Sequence, residues 1–396
     1  MKLKIAFIIP VFLFTFTLNG FCQWIETNSP FGTVVCFAEN GRNIFAGGGG
    51  VSLSTDNGVD WSNPQQNLGY VSNMVVYGNY LIAATANNGI CRSRDSGRVW
   101  FQANTGLTDK LVFSVAIIGN ELVAGTSFGG IYSSVDSGIH WTEIHRLKSE
   151  INEFLAVGSD LYIGTTSLGI LLSTDNGINW KEVNTGITTS DVHLLRAQNS
   201  SIYAGTDSGV FISSDKGLTW TPANNGLLDT DVHALAVSGN NLFAGTFNKG
   251  VFLSTDNGGM WKQVNTGLTN TNVHSLAIIG PSIFAGTFYG SIWRRSLSDF
   301  GISDVPTPKS LNDNLTSFPN PLSSKTTISF SNEQREFVSV SIVDVLGKEC
   351  AQLFTGELDG GTHSYEWDAS HMPPGMYLCI IRANGVAKEI PMMVVR

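Results

Sequence analysis

One motif, Ser-x-Asp-x-Gly-x-x-Trp, recurs six times and limits what this chain can fold into more than any other feature. Its copies are Ser54/Asp56/Gly58/Trp61, Ser93/Asp95/Gly97/Trp100, Ser134/Asp136/Gly138/Trp141, Ser173/Asp175/Gly177/Trp180, Ser213/Asp215/Gly217/Trp220 and Ser254/Asp256/Gly258/Trp261. Successive aspartates lie 39, 41, 39, 40 and 41 residues apart, a period that matches one four-stranded blade of a β-propeller. A second element precedes each motif: a short apolar strand ending in Ala-Gly-Thr or a variant. It occurs seven times, beginning at Ile44, Leu81, Leu122, Leu161, Ile202, Leu242 and Ile283. Seven strand units with six motifs predict seven blades, the last having lost its motif, with SIWRRS at 291–296 in its place.

The missing outer strand of that blade is expected from the other end of the chain. Trp24-Ile-Glu-Thr-Asn28 aligns with Trp180-Lys-Glu-Val-Asn184, the strand that follows a motif. Residues 24–28 are therefore predicted to complete the seventh blade, which removes two sheet edges open to aggregation.

Composition agrees with an all-β chain. Forty-three glycines, 23 phenylalanines and nine tryptophans suit many tight turns and aromatic-filled sheet interfaces, and no segment shows helical periodicity over a useful length. The net charge of −9 comes with no basic block, which argues against nucleic acid as a partner. Residues 1–22 read as a secretory signal: Lys2 and Lys4, an apolar run from Ile5 to Leu18, then Gly20 and Cys22 at the −3 and −1 positions. The apolar run is too short for a stable bilayer span, so no transmembrane segment is expected after cleavage. Acylation of Cys22 is the weaker reading, because bulky Phe21 precedes it. Cys36, Cys91, Cys350 and Cys379 are too few for a disulfide framework, while a Cys350–Cys379 pair and two free thiols remain equally open.

The repeat resembles the Asp-box propeller superfamily, which includes sialidases, xyloglucan-cleaving glycosidases, sortilin-type receptors and photosystem assembly factors. The resemblance covers residues 23–300 and implies a fold more than an activity. Asp56, Asp95, Asp136, Asp175, Asp215 and Asp256 are expected to be structural: each accepts hydrogen bonds from its turn while the tryptophan packs beneath it. A calcium site is not expected, since each turn offers one carboxylate. Gly47–Gly50 likewise belongs to a turn of the first blade, with no phosphate-loop lysine after it.

A ligand site, if the propeller has one, is expected on the end opposite these turns. The second-to-third-strand loops there contain Phe128, Phe247, Phe288 and Tyr289, rings of the kind that stack on sugars or anchor partner side chains. The start of the innermost strand, aligned across the repeats, reads Val35, Ser72, Phe113, Glu153, His193, His233 and His274. His193, His233 and His274 thus fall on three consecutive blades at the channel rim. Zinc is conceivable there, but separate blades are expected to hold the rings too far apart, so no metal and no cofactor is predicted. The sialidase set of converging arginines and a tyrosine nucleophile is not apparent, and no catalytic residue is assigned. The chain is read as a glycan- or protein-binding module, with a secreted glycoside hydrolase using carboxylates such as Asp191 and Asp231 as the alternative.

Residues 301–316 lose the repeat and read as a linker. From 317 to 396, Pro319-Asn-Pro321, Asp344–Lys348, Gly361-Thr-His363, Trp367-Asp368 and Gly375-Met-Tyr377 punctuate strands at a spacing that predicts an immunoglobulin-like β-sandwich. This segment closely resembles the C-terminal sorting domain of the type IX secretion system of Bacteroidetes. The resemblance implies that secretion machinery as a partner, and a final location outside the cell or on its surface.

Overall fold

The computed structural model describes residues 22–29, 32–62, 68–302, 315–332, 336–344, 348–383 and 386–395. The expected leader, apart from Cys22, and most of the expected linker lie outside these residues. Apart from one 3-10 turn, Leu297–Phe300, the described elements are all strands. No helix among them is long and apolar enough to cross a membrane.

The described residues between 24 and 296 form seven antiparallel sheets, six of four strands and one, nearest the N-terminus, with three described strands. The innermost strands are Val34–Asn40, Val71–Tyr77, Val112–Ile118, Ile151–Val157, Val192–Gln198, Val232–Ser238 and Val273–Ile279. Each lies against the next, and the last lies against the first, so the sheets close into a propeller around a central channel. The Ala-Gly-Thr strands come second and are almost wholly buried. Their small residues follow from close blade contact: a Cβ on Gly125 would stand 2.5 Å from Ile151 Cγ2 of the next sheet.

The recurrent Ser-x-Asp-x-Gly segment is the turn after the third strand. In all six copies the serine hydroxyl donates to Asp Oδ1 at 2.7–2.9 Å, and the glycine N–H donates to the serine oxygen at 2.8–3.0 Å. The amide four residues past the aspartate donates to the same Oδ1. Two successive left-handed residues make the turn, as at Lys216 (φ 60°) and Gly217 (φ 81°), and glycine accepts the second without steric cost. The hydroxyl and amide of Thr219 hold the Asp215 carboxyl down to about 2. A carboxylate depressed in the fold contributes stability above its unfolded value of 3.8 and loses it as pH falls through the folded value. Asp215→Asn should therefore be less stable than the wild type at pH 7, with the difference closing between pH 4 and about 2; denaturant midpoints across that range check this.

The tryptophans tie neighbouring blades. Trp141, Trp220 and Trp261 each donate Nε1–H to a carbonyl of the preceding sheet, Ala103, Val183 and Ala223, at 2.7–2.9 Å. Trp24 does the same to Val264 O at 2.8 Å, and its amide donates to Thr266 O. Ile25–Glu26 then pairs with Ile292–Ser296, so the sheet nearest the C-terminal end of the ring takes its outer strand from the N-terminal end. The segment 291–296 differs from expectation. It stands not at a lost turn but in the third strand itself, with Arg294 and Trp293 paired to Phe284 and Ala285, and the 3-10 turn Leu297–Phe300 follows where the other blades carry their motif.

The described residues of 316–395 build two further sheets, Thr316–Phe318 with Lys325–Asn332 and Gly361–Asp368, and a four-stranded sheet around Glu336–Asp344 and Gly375–Ala383. Phe330, Val340, Trp367 and Ile381 lie in a common core. Cys350 and Cys379 are both free, and burial pushes the Cys379 thiol up to about 12.

Candidate functional site at the channel mouth

Every innermost strand opens on a buried β-branched residue, Val34, Val71, Val112, Ile151, Val192, Val232 or Val273, and in every one the register then skips a residue. A bulge leaves its extra residue unpaired and re-aims the side chain. The bulged residues are Val35, Ser72, Phe113, Asn152, His193, His233 and His274. Asn152, not Glu153, therefore occupies the position that the sequence alignment gave to Glu153. Aligning on the buried β-branched residue one place earlier recovers this register.

Three bulge side chains bridge to the next blade. Ser72 Oγ donates to Val112 O at 2.8 Å, Asn152 Nδ2 to Val192 O at 3.0 Å and His193 Nδ1 to Val232 O at 3.2 Å. One residue further along, Glu153 accepts from the Leu195 amide at 2.9 Å and from Arg196 Nη1 at 2.8 Å. The sequence did not single out this pair, since strand alternation alone does not show that Arg196 turns back across a blade boundary. His193, His233, His274, Glu153, Arg196 and Cys36 are among the residues lining a channel cavity of about 310 Å³.

The three histidines meet. The ring of His233 is 4.4 Å from that of His193 and 4.8 Å from that of His274, so the expectation that separate blades would hold them apart is corrected. The bulge is the cause: it turns equivalent side chains of adjacent blades toward one axis, where the blades are closest. His274 stacks on Phe288 at 5.1 Å, Phe288 touches Tyr289 at 4.1 Å, and Phe247 lies 5.5 Å from His233. A continuous aromatic ledge results. Its loops are pinned by the backbone, with Phe247 N–H donating to Asp231 O, Phe288 N–H to Asn272 O, and Tyr289 N–H to Thr33 Oγ1. Tyr289 is 82% exposed and adopts a left-handed φ of 47°. Phe128 does not join the ledge. It is 66% exposed on its own loop, where its carbonyl accepts from Arg146.

Asp191 and Asp231 flank the rings. Asp231 Oδ1 is 2.9 Å from His233 Nε2 and 3.7 Å from His193 Nδ1, and Asp191 Oδ1 is 3.6 Å from His193 Nε2. Burial, then the neighbouring imidazoles, pushes His274 down to about 4, and the same causes lower His233 despite its Asp231 partner. Burial also raises the Asp191 carboxyl. Both histidine shifts favour the neutral form of His233 and His274, which pack as aromatic surface.

Residues 316–395 match the family described as the secretion system C-terminal sorting domain, and residues 161–279 match the DUF6242 beta propeller domain. No curated protein matches the chain. Among solved structures it is similar to PorZ, described as an essential bacterial surface component of the type-IX secretion system of Porphyromonas gingivalis. The identity is 17% and the TM-score 0.58, over 93% of this chain and 60% of that one; this chain thus spans about three fifths of that protein's length. A GH74 xyloglucanase from Xanthomonas campestris is 14% identical, with a TM-score of 0.59 over 93% of this chain and 75% of that one. YCF48 bound to D1 peptide is 17% identical, with a TM-score of 0.57 over 69% and 96%. Such identities speak to the fold alone.

Fold and tail together define the class: a β-propeller protein carrying a secretion-system C-terminal sorting domain. It is secreted through the type IX system to the cell surface.

Proposed function

We propose that this protein is a non-catalytic recognition module at the cell surface. In this reading residues 23–300 form a seven-bladed propeller of the Asp-box kind, 301–316 link it to an immunoglobulin-like sandwich at 317–396, and the type IX machinery engages that sandwich. The channel mouth holds a glycan or a protein segment against the ledge of Phe247, Phe288 and Tyr289, bordered by His193, His233 and His274. The observation that carries this is the ledge itself: aromatic surface continuous over three blades at one end of the channel, with an exposed tyrosine at its tip. Rings of this kind contribute most of the binding energy in many recognition surfaces.

A glycoside hydrolase is the second reading, favoured by one observation: Asp191 and Asp231 approach the same imidazole from its two nitrogens. Both carboxylates are engaged by histidine, which is the reason recognition is preferred. The fold is shared with a GH74 enzyme and with a protein bound to a peptide, so both uses are compatible with it.

The mature chain is to be incubated with immobilised polysaccharides, sialylated glycans and peptides, following retention and the release of reducing ends. Retention without cleavage is expected. Tyr289→Ala should weaken it by about 30-fold, the loss typical of an anchoring aromatic worth about 2 kcal/mol. Cleavage would overturn the proposal and make Asp191 and Asp231 the residues to replace.

A further inference from the structure

Among the described residues, the ligand atoms of His193, Asp231 and His233 form the one group of three His, Cys, Asp or Glu side chains gathered within 4.8 Å of one another. We propose that this group is a binding site for a divalent transition metal of zinc's type, with an open coordination position at the channel mouth beside the aromatic ledge.

Two imidazoles and one carboxylate are a donor set that suits zinc, and three protein ligands with a fourth position left free mark sites that accept an exogenous donor. A tetrahedral ion sits about 2.0–2.2 Å from nitrogen and oxygen ligands, so donors gathered this closely need only small side-chain rotations to converge on it. Burial is intermediate for all three residues, which permits entry while restricting water.

The surroundings carry the argument further. A ligating histidine is normally oriented by an oxygen on its other nitrogen, and His193 has one on each side: Val232 O at 3.2 Å from Nδ1 and Asp191 Oδ1 at 3.6 Å from Nε2. Nδ1 is held by its hydrogen bond to Val232 O, and Asp191 stands within reach of Nε2. Independently, His274 Nε2 is buried without a hydrogen-bond partner, on a ring 4.8 Å from that of His233. An unpaired buried nitrogen costs free energy in the absence of a partner, and the ring that carries it packs against one member of the group, His233. Asp191 and Asp231 supply negative charge for a dication.

The inference adds a metal to the site proposed above and holds for any ligand the ledge takes; ligand retention measured in chelator tests the ledge by itself. Untagged mature chain, stripped with EDTA and dialysed, is titrated with Zn²⁺ by calorimetry and with Co²⁺ by visible absorption. One equivalent per chain is expected, with the intense d–d bands of a four-coordinate cobalt site. His233→Gln and Asp231→Asn should each lower the affinity by at least about tenfold, a loss that even outer-shell changes at metal sites produce. His140→Gln, at a turn where the ring pairs with Asp136, should leave it unchanged. Absence of stoichiometric Zn²⁺ uptake by the wild-type chain overturns the proposal, as does full affinity in a folded His233→Gln. If that variant does not fold, the wild-type cobalt spectrum decides, and bands like those of aqueous Co²⁺ count against the site.

Discussion

Cells expressing the chain with residues 317–396 removed should show no propeller at their surface, with the protein accumulating in the periplasm instead. The expected loss of surface signal is complete, because the sorting match covers residues 316–395 and nothing before them. The structure makes this a test of sorting and not of folding. Among the described residues the propeller's sheets draw every strand from residues 25–296, and the tail's sheets draw theirs from 316–394, so truncation removes no paired strand from the ring. Cell fractionation and protease accessibility in intact cells provide the readout, with circular dichroism of the truncated protein as the folding control. Normal surface display of a folded truncated chain would refute the assignment of the tail as the export signal.

The second large effect is expected at the other end of the chain. Trp24→Ala should cost about 3–5 kcal/mol of stability, as deletion of a buried large aromatic commonly does. Trp24 is 2% exposed and packs with Leu268, Val273, Trp293 and Leu297. Its Nε1 donates across the blade boundary to Val264, and it positions Ile25–Glu26 on the edge of Ile292–Ser296. Losing it also opens a sheet edge, so aggregation should accompany the drop in denaturant midpoint. Trp24→Phe keeps most of the apolar area and loses the donor, and about 0.5–1.5 kcal/mol is expected for it. If both variants unfolded at the wild-type midpoint, closure of the ring by the N-terminal strand would contribute nothing to stability.

The alignment of Trp24-Ile-Glu-Thr-Asn28 with Trp180-Lys-Glu-Val-Asn184 was enough to anticipate that pairing. Local chemistry stamps itself on a repeat: a left-handed glycine, an aspartate that caps its own turn and a tryptophan that reaches the previous blade recur at one period because each blade solves the same problem. The channel mouth was less legible. Spacing makes Glu153 the equivalent of His193, whereas the bulge places Asn152 there, and a bulge leaves no mark in a pattern read by spacing alone. Counting repeats sets SIWRRS at a lost turn, whereas Ile292–Ser296 is paired strand, and the segment lacks the aspartate and glycine that make the other turns. Phe128 shares its loop position with Phe247 and stands apart from the ledge.

What the amino-acid sequence determined by itself was the number and order of strand units, the turns between them, and a tail of separate composition. Each of these depends on residues within about forty positions of one another, where turn chemistry and alternation act directly. Only the tertiary structure decided that His193, His233 and His274, some forty residues apart in the chain, lie ring to ring. That distance is set by how closely the blades approach at the axis once the ring has closed, and by a bulge that turns one side chain per blade toward the mouth, and neither quantity is local to any stretch of sequence.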